Sequence, residues 1–200
     1  MLFNNVIEES NFISLVASRY GINSVDLLAG LDKYDAEYET GQCDVVYVLA
    51  EVVSLHAPQA RDLVLADVEW LEYAYSISVI PRREAFAGVR SLRLRKPQVN
   101  LVLANNEAKR WDDVKNRRFG HFALFDELAS SWRIGYVKPS QEYITAVASA
   151  FGTTISRLIL IDDNPAVLSA AADQGLAGVA VIGQWPTRDI DRAVALAQKA

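Results

Sequence analysis

Short, nearly unbroken apolar runs alternate with amphipathic helical patterns through the second half of the chain. The runs are Val99 to Ala104, Phe122 to Phe125, Leu158 to Ile161 and Gly178 to Ile182. Such runs are the pattern of strands buried on both faces. Between them, Ile144, Val147, Ala148 and Phe151 recur at i, i+3, i+4 and i+7, one helical stripe that ends at Gly152. Asn164-Pro165 is a helix start, a capping side chain followed by proline at the first helical position. The helix it opens carries Val167, Leu168, Ala171 and Ala172 and stops near Gly175. Strand and helix in alternation predict an α/β fold, a Rossmann-like parallel sheet with helices on both faces.

The first half is different. From about Ser18 to Arg95 the pattern is helical, with Pro58 and Pro81 as helix starts and Ala85, Phe86, Val89 and Leu92 on one side of the last helix. The segment Tyr38 to Gln42 breaks two helical stretches. The expected organisation is a core from residues 1–14 and 96–200 and a small helical cap, residues 15–95, inserted after the first strand.

Composition narrows the function. Apolar residues make up 51% and charged residues 22%, ordinary for a folded domain. Twenty basic against 25 acidic residues leave a charge of −5, which disfavours nucleic acid and anionic membranes as partners. Arg82, Arg83, Arg90, Arg93, Arg95 and Lys96 cluster locally, either as a solvated helix face or as a phosphate- or nucleic-acid-binding patch. Cys43 is the one cysteine, so an internal disulfide is excluded and a reducing, cytoplasmic setting is expected. No apolar run reaches a membrane-spanning length, and Met1 to Ser10 does not read as a signal peptide. Two histidines, His56 and His121, with one cysteine leave little for a zinc site or a Ser-His-Asp triad.

In parallel sheets, ligands gather at the carboxyl ends of the strands. Asn105, Asn106, Asp162 and Asp163 each follow a predicted strand. The order is a strand ending Ala104-Asn105-Asn106, then Gly135-Tyr136-Val137-Lys138-Pro139, then Leu158-Ile159-Leu160-Ile161-Asp162-Asp163-Asn164. That order resembles the second, third and fourth motifs of the haloacid dehalogenase superfamily. Asn5-Val6-Ile7 and Glu39-Thr40-Gly41 resemble segments of its alpha-glucose-1-phosphate phosphatase and epoxide-hydrolase N-domain branch.

The resemblance implies a defined chemistry. A first-strand aspartate attacks phosphorus, and a second aspartate protonates the leaving group. A hydroxyl and the lysine hold phosphate oxygens, and magnesium neutralises charge. This chain departs from it. Aligned on Asn5-Val6-Ile7, Leu2 stands at the nucleophile and Asn4 at the acid, and Ala104 replaces the hydroxyl. Lys138, Asp162 and Asp163 remain.

The expectation is a degenerate, non-hydrolytic site. Lys138, Asn4, Asn105 and Asn106 would bind a phosphorylated small molecule or serve a protein partner. Asp162 and Asp163 would hold magnesium weakly or not at all. Two alternatives stay open: new chemistry on the same fold, or a magnesium-dependent phosphatase or dehalogenase with a misread N-terminus. Trp70, Trp111, Trp132 and Trp185 read as packing residues, and His121 as structural.

Overall fold

A computed structural model describes residues 2–181. Helices α1 (Val6–Glu9), α2 (Phe12–Tyr20), α3 (Ser24–Leu31), α4 (Asp35–Glu39), α5 (Val45–His56), α6 (Arg61–Ala66), α7 (Val68–Ser78) and α8 (Arg83–Arg95) fill the first half. The second half runs β1 (Val102–Leu103), α9 (Lys109–Phe119), β2 (Glu127–Leu128), α10 (Ser131–Ile134), α11 (Gln141–Ala150), β3 (Ile159–Asp162), α12 (Pro165–Ala172) and β4 (Gly178–Val181).

The helix starts follow local chemistry. The Asn23 side chain accepts from the Val25 N–H at 2.7 Å, Asp44 from Val46 at 2.9 Å, Ser140 from Tyr143 at 3.1 Å and Asn164 from Ala166 at 2.9 Å. Each satisfies a backbone donor that the first helical turn leaves open. Gly120 ends α9 at φ 61°, a left-handed conformation that costs glycine little.

Two parallel strand pairs form, β1 with β2 and β3 with β4. Two of the four expected strands hold: Leu158 to Ile161 is β3, shifted by one residue, and Gly178 to Ile182 is β4 as far as Val181. Ile182, Trp185 and the rest of the expected core range beyond residue 181 lie outside the described residues. Two expectations need correction. Of Val99 to Ala104 only Val102 and Leu103 are strand. Phe122 to Phe125 is no strand, since His121–Leu124 forms a 3₁₀ turn and the strand comes later, at Glu127–Leu128. The cause of the second is packing. His121, at the head of the turn, meets the Phe3 ring at 5.0 Å and the Phe122 ring at 4.7 Å, so the segment is used as an aromatic plug. The predicted first strand is reduced to an isolated antiparallel bridge between Phe3 and Pro81. It is held by Asn4 N–H to Ile80 O at 3.1 Å and Arg82 N–H to Leu2 O at 2.8 Å.

One hydrophobic cluster joins the helices of the first half to Leu103, Ala108, Trp111 and Val114. At its centre Tyr75 stacks on Trp111 with centroids 4.3 Å apart, and Phe12 meets both edge-on. Smaller clusters lie beneath α11 (Tyr143, Ile144, Val147) and between β3 and α12 (Leu160, Leu168, Ala171). The α11 stripe read from the sequence is thus the face that packs.

Candidate functional site

Lys138 stands at the junction of the two strand pairs. Its ammonium donates to the Ala104 carbonyl at 3.0 Å, just past β1, and to Asp162 Oδ2 at 2.5 Å, at the end of β3. The third ammonium N–H has no partner among the described residues. The Asn106 side chain fixes the lysine backbone from both sides. It accepts the Lys138 N–H at 2.9 Å and donates to the Lys138 carbonyl at 2.9 Å. The Lys138-Pro139 peptide is cis.

Asp162 is buried, and burial by itself would raise its carboxyl. The Lys138 charge and hydrogen bond and the Asn164 N–H, 2.9 Å from Oδ1, outweigh that and hold it below the usual carboxylate range. Asp163 points elsewhere, with Oδ2 3.9 Å from the Arg82 guanidinium.

Asn105 donates to Asp112 Oδ1 at 3.1 Å, and its own Oδ1 is buried without a hydrogen bond. Asp112 is fully buried. It accepts from Ser130 Oγ at 2.6 Å and Trp132 Nε1 at 2.9 Å, and His121 Nε2 lies 3.5 Å away. Burial pushes its carboxyl up, and the hydrogen bonds from His121, Ser130 and Trp132 bring it below the ordinary value.

The structure therefore brings Lys138, Asn106, the Ala104 carbonyl and Asp162 into direct contact. Asn4 is occupied otherwise: its side chain donates to the Ser78 carbonyl at 3.3 Å and accepts the Ile80 N–H at 2.7 Å. Leu2 lines a cavity together with Ala104, Asn105 and Asn106.

Two charged groups beside this site, Glu107 and Lys115, escaped sequence reasoning, and Glu39 was noted there only within its Glu39-Thr40-Gly41 segment. Glu107 is ion-paired with the largely buried Lys115 and accepts from the Tyr75 hydroxyl at 3.2 Å. Glu39, at the end of α4, is half-buried. Burial, then the charges of Glu107 and Asp35, push its carboxyl up to about 8, with Lys138 and Lys115 opposing. Glu107 directly follows Asn105-Asn106, so its strand-end position was a signal. Lys115 carried none, because its pairing depends on α9 folding back toward that loop.

Both carboxylates offered for a magnesium ion have other partners. Asp162 already spends one oxygen on Lys138 and the other on Asn164, Asp163 faces Arg82, and no cluster of three His, Cys, Asp or Glu residues suited to a metal occurs among the described residues. Among the described residues no helix is long and apolar enough to cross a membrane.

No protein-family model and no curated protein sequence matches the chain. Solved structures do. A predicted HAD-like family hydrolase from Porphyromonas gingivalis superimposes with a TM-score of 0.69 at 18% identity, covering 97% of this chain and 92% of that one. A HAD family enzyme from Bacteroides thetaiotaomicron, in complex with magnesium and inorganic phosphate, gives 0.65 at 13% identity, covering 92% and 91%. The L-2-haloacid dehalogenase from Xanthobacter autotrophicus, with chloropropionic acid covalently bound, gives 0.58 at 16% identity, covering 96% and 77%. At these identities the likeness is one of fold, and the chain carries the α/β fold of the haloacid dehalogenase (HAD) enzymes.

Proposed function

We propose that this chain binds a phosphorylated small molecule at the Lys138 end of its strands and does not hydrolyse it through an aspartyl-phosphate. The observation that carries the reading is the Lys138 ammonium. It is fixed at the carboxyl ends of β1 and β3 with one N–H left unpaired among the described residues. A phosphate oxygen is the acceptor that such a donor, set in a largely buried site, favours.

Each residue has a limited task. Lys138 supplies charge and one hydrogen bond. Asn106 holds the lysine backbone so that the ammonium does not swing away. Asp162 holds the ammonium in place. Leu2 has no nucleophilic atom, the Asn4 amide is no proton-donating acid, and Ala104 offers a carbonyl but no hydroxyl. Magnesium, present in the Bacteroides enzyme complex, binds here weakly or not at all on this reading, since Asp162 and Asp163 do not face one point.

The test is turnover of p-nitrophenyl phosphate with magnesium, beside Lys138→Met and Asp162→Asn. No turnover above the protein-free rate is expected. Robust turnover lost in both variants would establish a hydrolytic site and refute the proposal.

A further inference from the structure

Two largely buried lysines stand beside the loop that follows β1, and each is already matched. Lys138 is held by Asp162 and Lys115 by Glu107. Glu39 is the third carboxyl of this group and has no match. Its side chain forms no hydrogen bond and no ion pair among the described residues. Two lysines against three acids therefore leave one carboxyl over.

The backbone fixes where Glu39 stands. The Ser131 hydroxyl donates to the Glu39 carbonyl at 2.6 Å. The same oxygen accepts the Glu107 N–H at 3.0 Å, and the Ser131 N–H donates to the Asn105 carbonyl at 2.9 Å. One buried serine thus pins the end of α4 onto the loop that carries Asn105, Asn106 and Glu107. Two residues on, a Cβ at Gly41 would lie 3.1 Å from the Trp132 carbonyl, so the chain after α4 is seated closely as well. Burial first, then the charges of Glu107 and of Asp35 one turn back on α4, disfavour the ionised Glu39. Lys138 and Lys115 oppose them, but each already holds an acid of its own. Tyr38 on the same helix is raised by burial and stays neutral. The ionised Glu39 lacks a cation that the described residues do not supply.

From this imbalance we infer that Glu39 determines specificity at the Lys138 site, and that the ligand is zwitterionic, a phosphate monoester that also carries an ammonium group. This rests on the phosphate-binding reading above. The phosphate meets the Lys138 ammonium, and the ligand's own ammonium meets the Glu39 carboxylate. The ligand then brings the one cation that this group of side chains lacks, in a half-buried setting where a charged hydrogen bond is strong. A plain alkyl phosphate leaves Glu39 without a partner. A ligand hydroxyl bonds a neutral carboxyl but gains nothing from the negative charges of Glu107 and Asp35, which favour a cation.

The test is calorimetric titration at neutral pH with alkyl, hydroxyalkyl and aminoalkyl phosphates, each in a two-carbon and a four-carbon form. Wild type is compared with Glu39→Gln, which keeps the size of the side chain and removes its charge. In wild type the better aminoalkyl phosphate should bind at least about tenfold more tightly than the alkyl phosphate of its length. In Glu39→Gln that preference should shrink to less than about twofold. A second readout is the proton balance. Free Glu39, raised to about 8, is mostly protonated at neutral pH and must ionise to pair. Wild type should therefore release close to one proton more with the aminoalkyl than with the alkyl phosphate, read from buffers of different ionisation enthalpy, and Glu39→Gln none more. Equal affinity for alkyl and aminoalkyl phosphates would overturn the inference and leave the phosphate reading standing. So would an undiminished preference in Glu39→Gln, or a hydroxyalkyl phosphate bound as tightly as the aminoalkyl one. Binding of none of these phosphates would overturn both.

Discussion

The Lys138 ammonium lies 2.5 Å from Asp162 Oδ2 and, through the same nitrogen, 3.0 Å from the Ala104 carbonyl. One side chain thus ties together two strand pairs that, among the described residues, share no hydrogen bond of their own. Only 11% of the lysine side chain and 6% of the aspartate side chain are exposed, so neither charge is well screened by water. Breaking such a pair from one side leaves the other charge stranded.

Lys138→Met should therefore cost about 3–5 kcal/mol of stability at neutral pH. Asp162 is held below its ordinary value in the fold, so the pair's contribution is present above the unfolded aspartate value and is lost as pH falls through the lower folded one. Urea unfolding between pH 7 and pH 2.5 checks this. The wild type should lose stability toward acid, and the Lys138→Met variant should show a shallower acid limb.

Glu39 has the opposite sign. Its carboxyl is pushed up to about 8 by burial and by Glu107 and Asp35. Its contribution is complete below the unfolded glutamate value, near 4.3, and is lost as pH rises through about 8. Glu39→Gln should be close to neutral at acid pH, more stable than wild type at pH 9, and flatter in between. Thermal melts at pH 5, 7 and 9 read the crossover.

Asp112 should be among the costliest polar residues to remove. Asp112→Ala strands Ser130 Oγ, Trp132 Nε1 and Asn105 Nδ2 in a buried site. A loss of about 3–5 kcal/mol is expected in chemical denaturation. Ser130→Ala removes one donor along with its need for a partner, and should cost about 1–2 kcal/mol.

Gly30 is a packing requirement of the helical half. A Cβ there would lie 2.3 Å from Val52 Cγ1, across the contact between α3 and α5. Gly30→Ala should destabilise by about 1–3 kcal/mol despite alanine's better helix propensity. Val52→Ala in the same chain should recover part of that loss, a coupling that a double-mutant cycle measures.

What the sequence disclosed follows a physical divide. The stripe at Ile144, Val147 and Ala148 and the Asn164-Pro165 start are local signals, and both helices form where those signals stand. Asp162 was singled out by its strand-end position and Lys138 by the motif order that resembles the dehalogenase superfamily, and the structure joins them. Phe122 to Phe125 misled because an aromatic run serves a packed turn as well as a strand. The true strand, Glu127–Leu128, is two residues long and too short to show a period. Lys115 and Asp112 acquire their roles only from residues far along the chain, Tyr75 and Phe3 around the former, Ser130 and Trp132 around the latter. No spacing rule reaches that distance.

The direct measurement of the central claim is calorimetric titration of inorganic phosphate into the wild-type chain and into Lys138→Met at neutral pH, with Glu142→Gln as an exposed control. The account predicts a saturable one-site isotherm in the wild type, unchanged in the control and weakened at least about tenfold, or about 1.4 kcal/mol, in Lys138→Met. Equal affinity in the wild type and Lys138→Met, with both folded by circular dichroism, would contradict it.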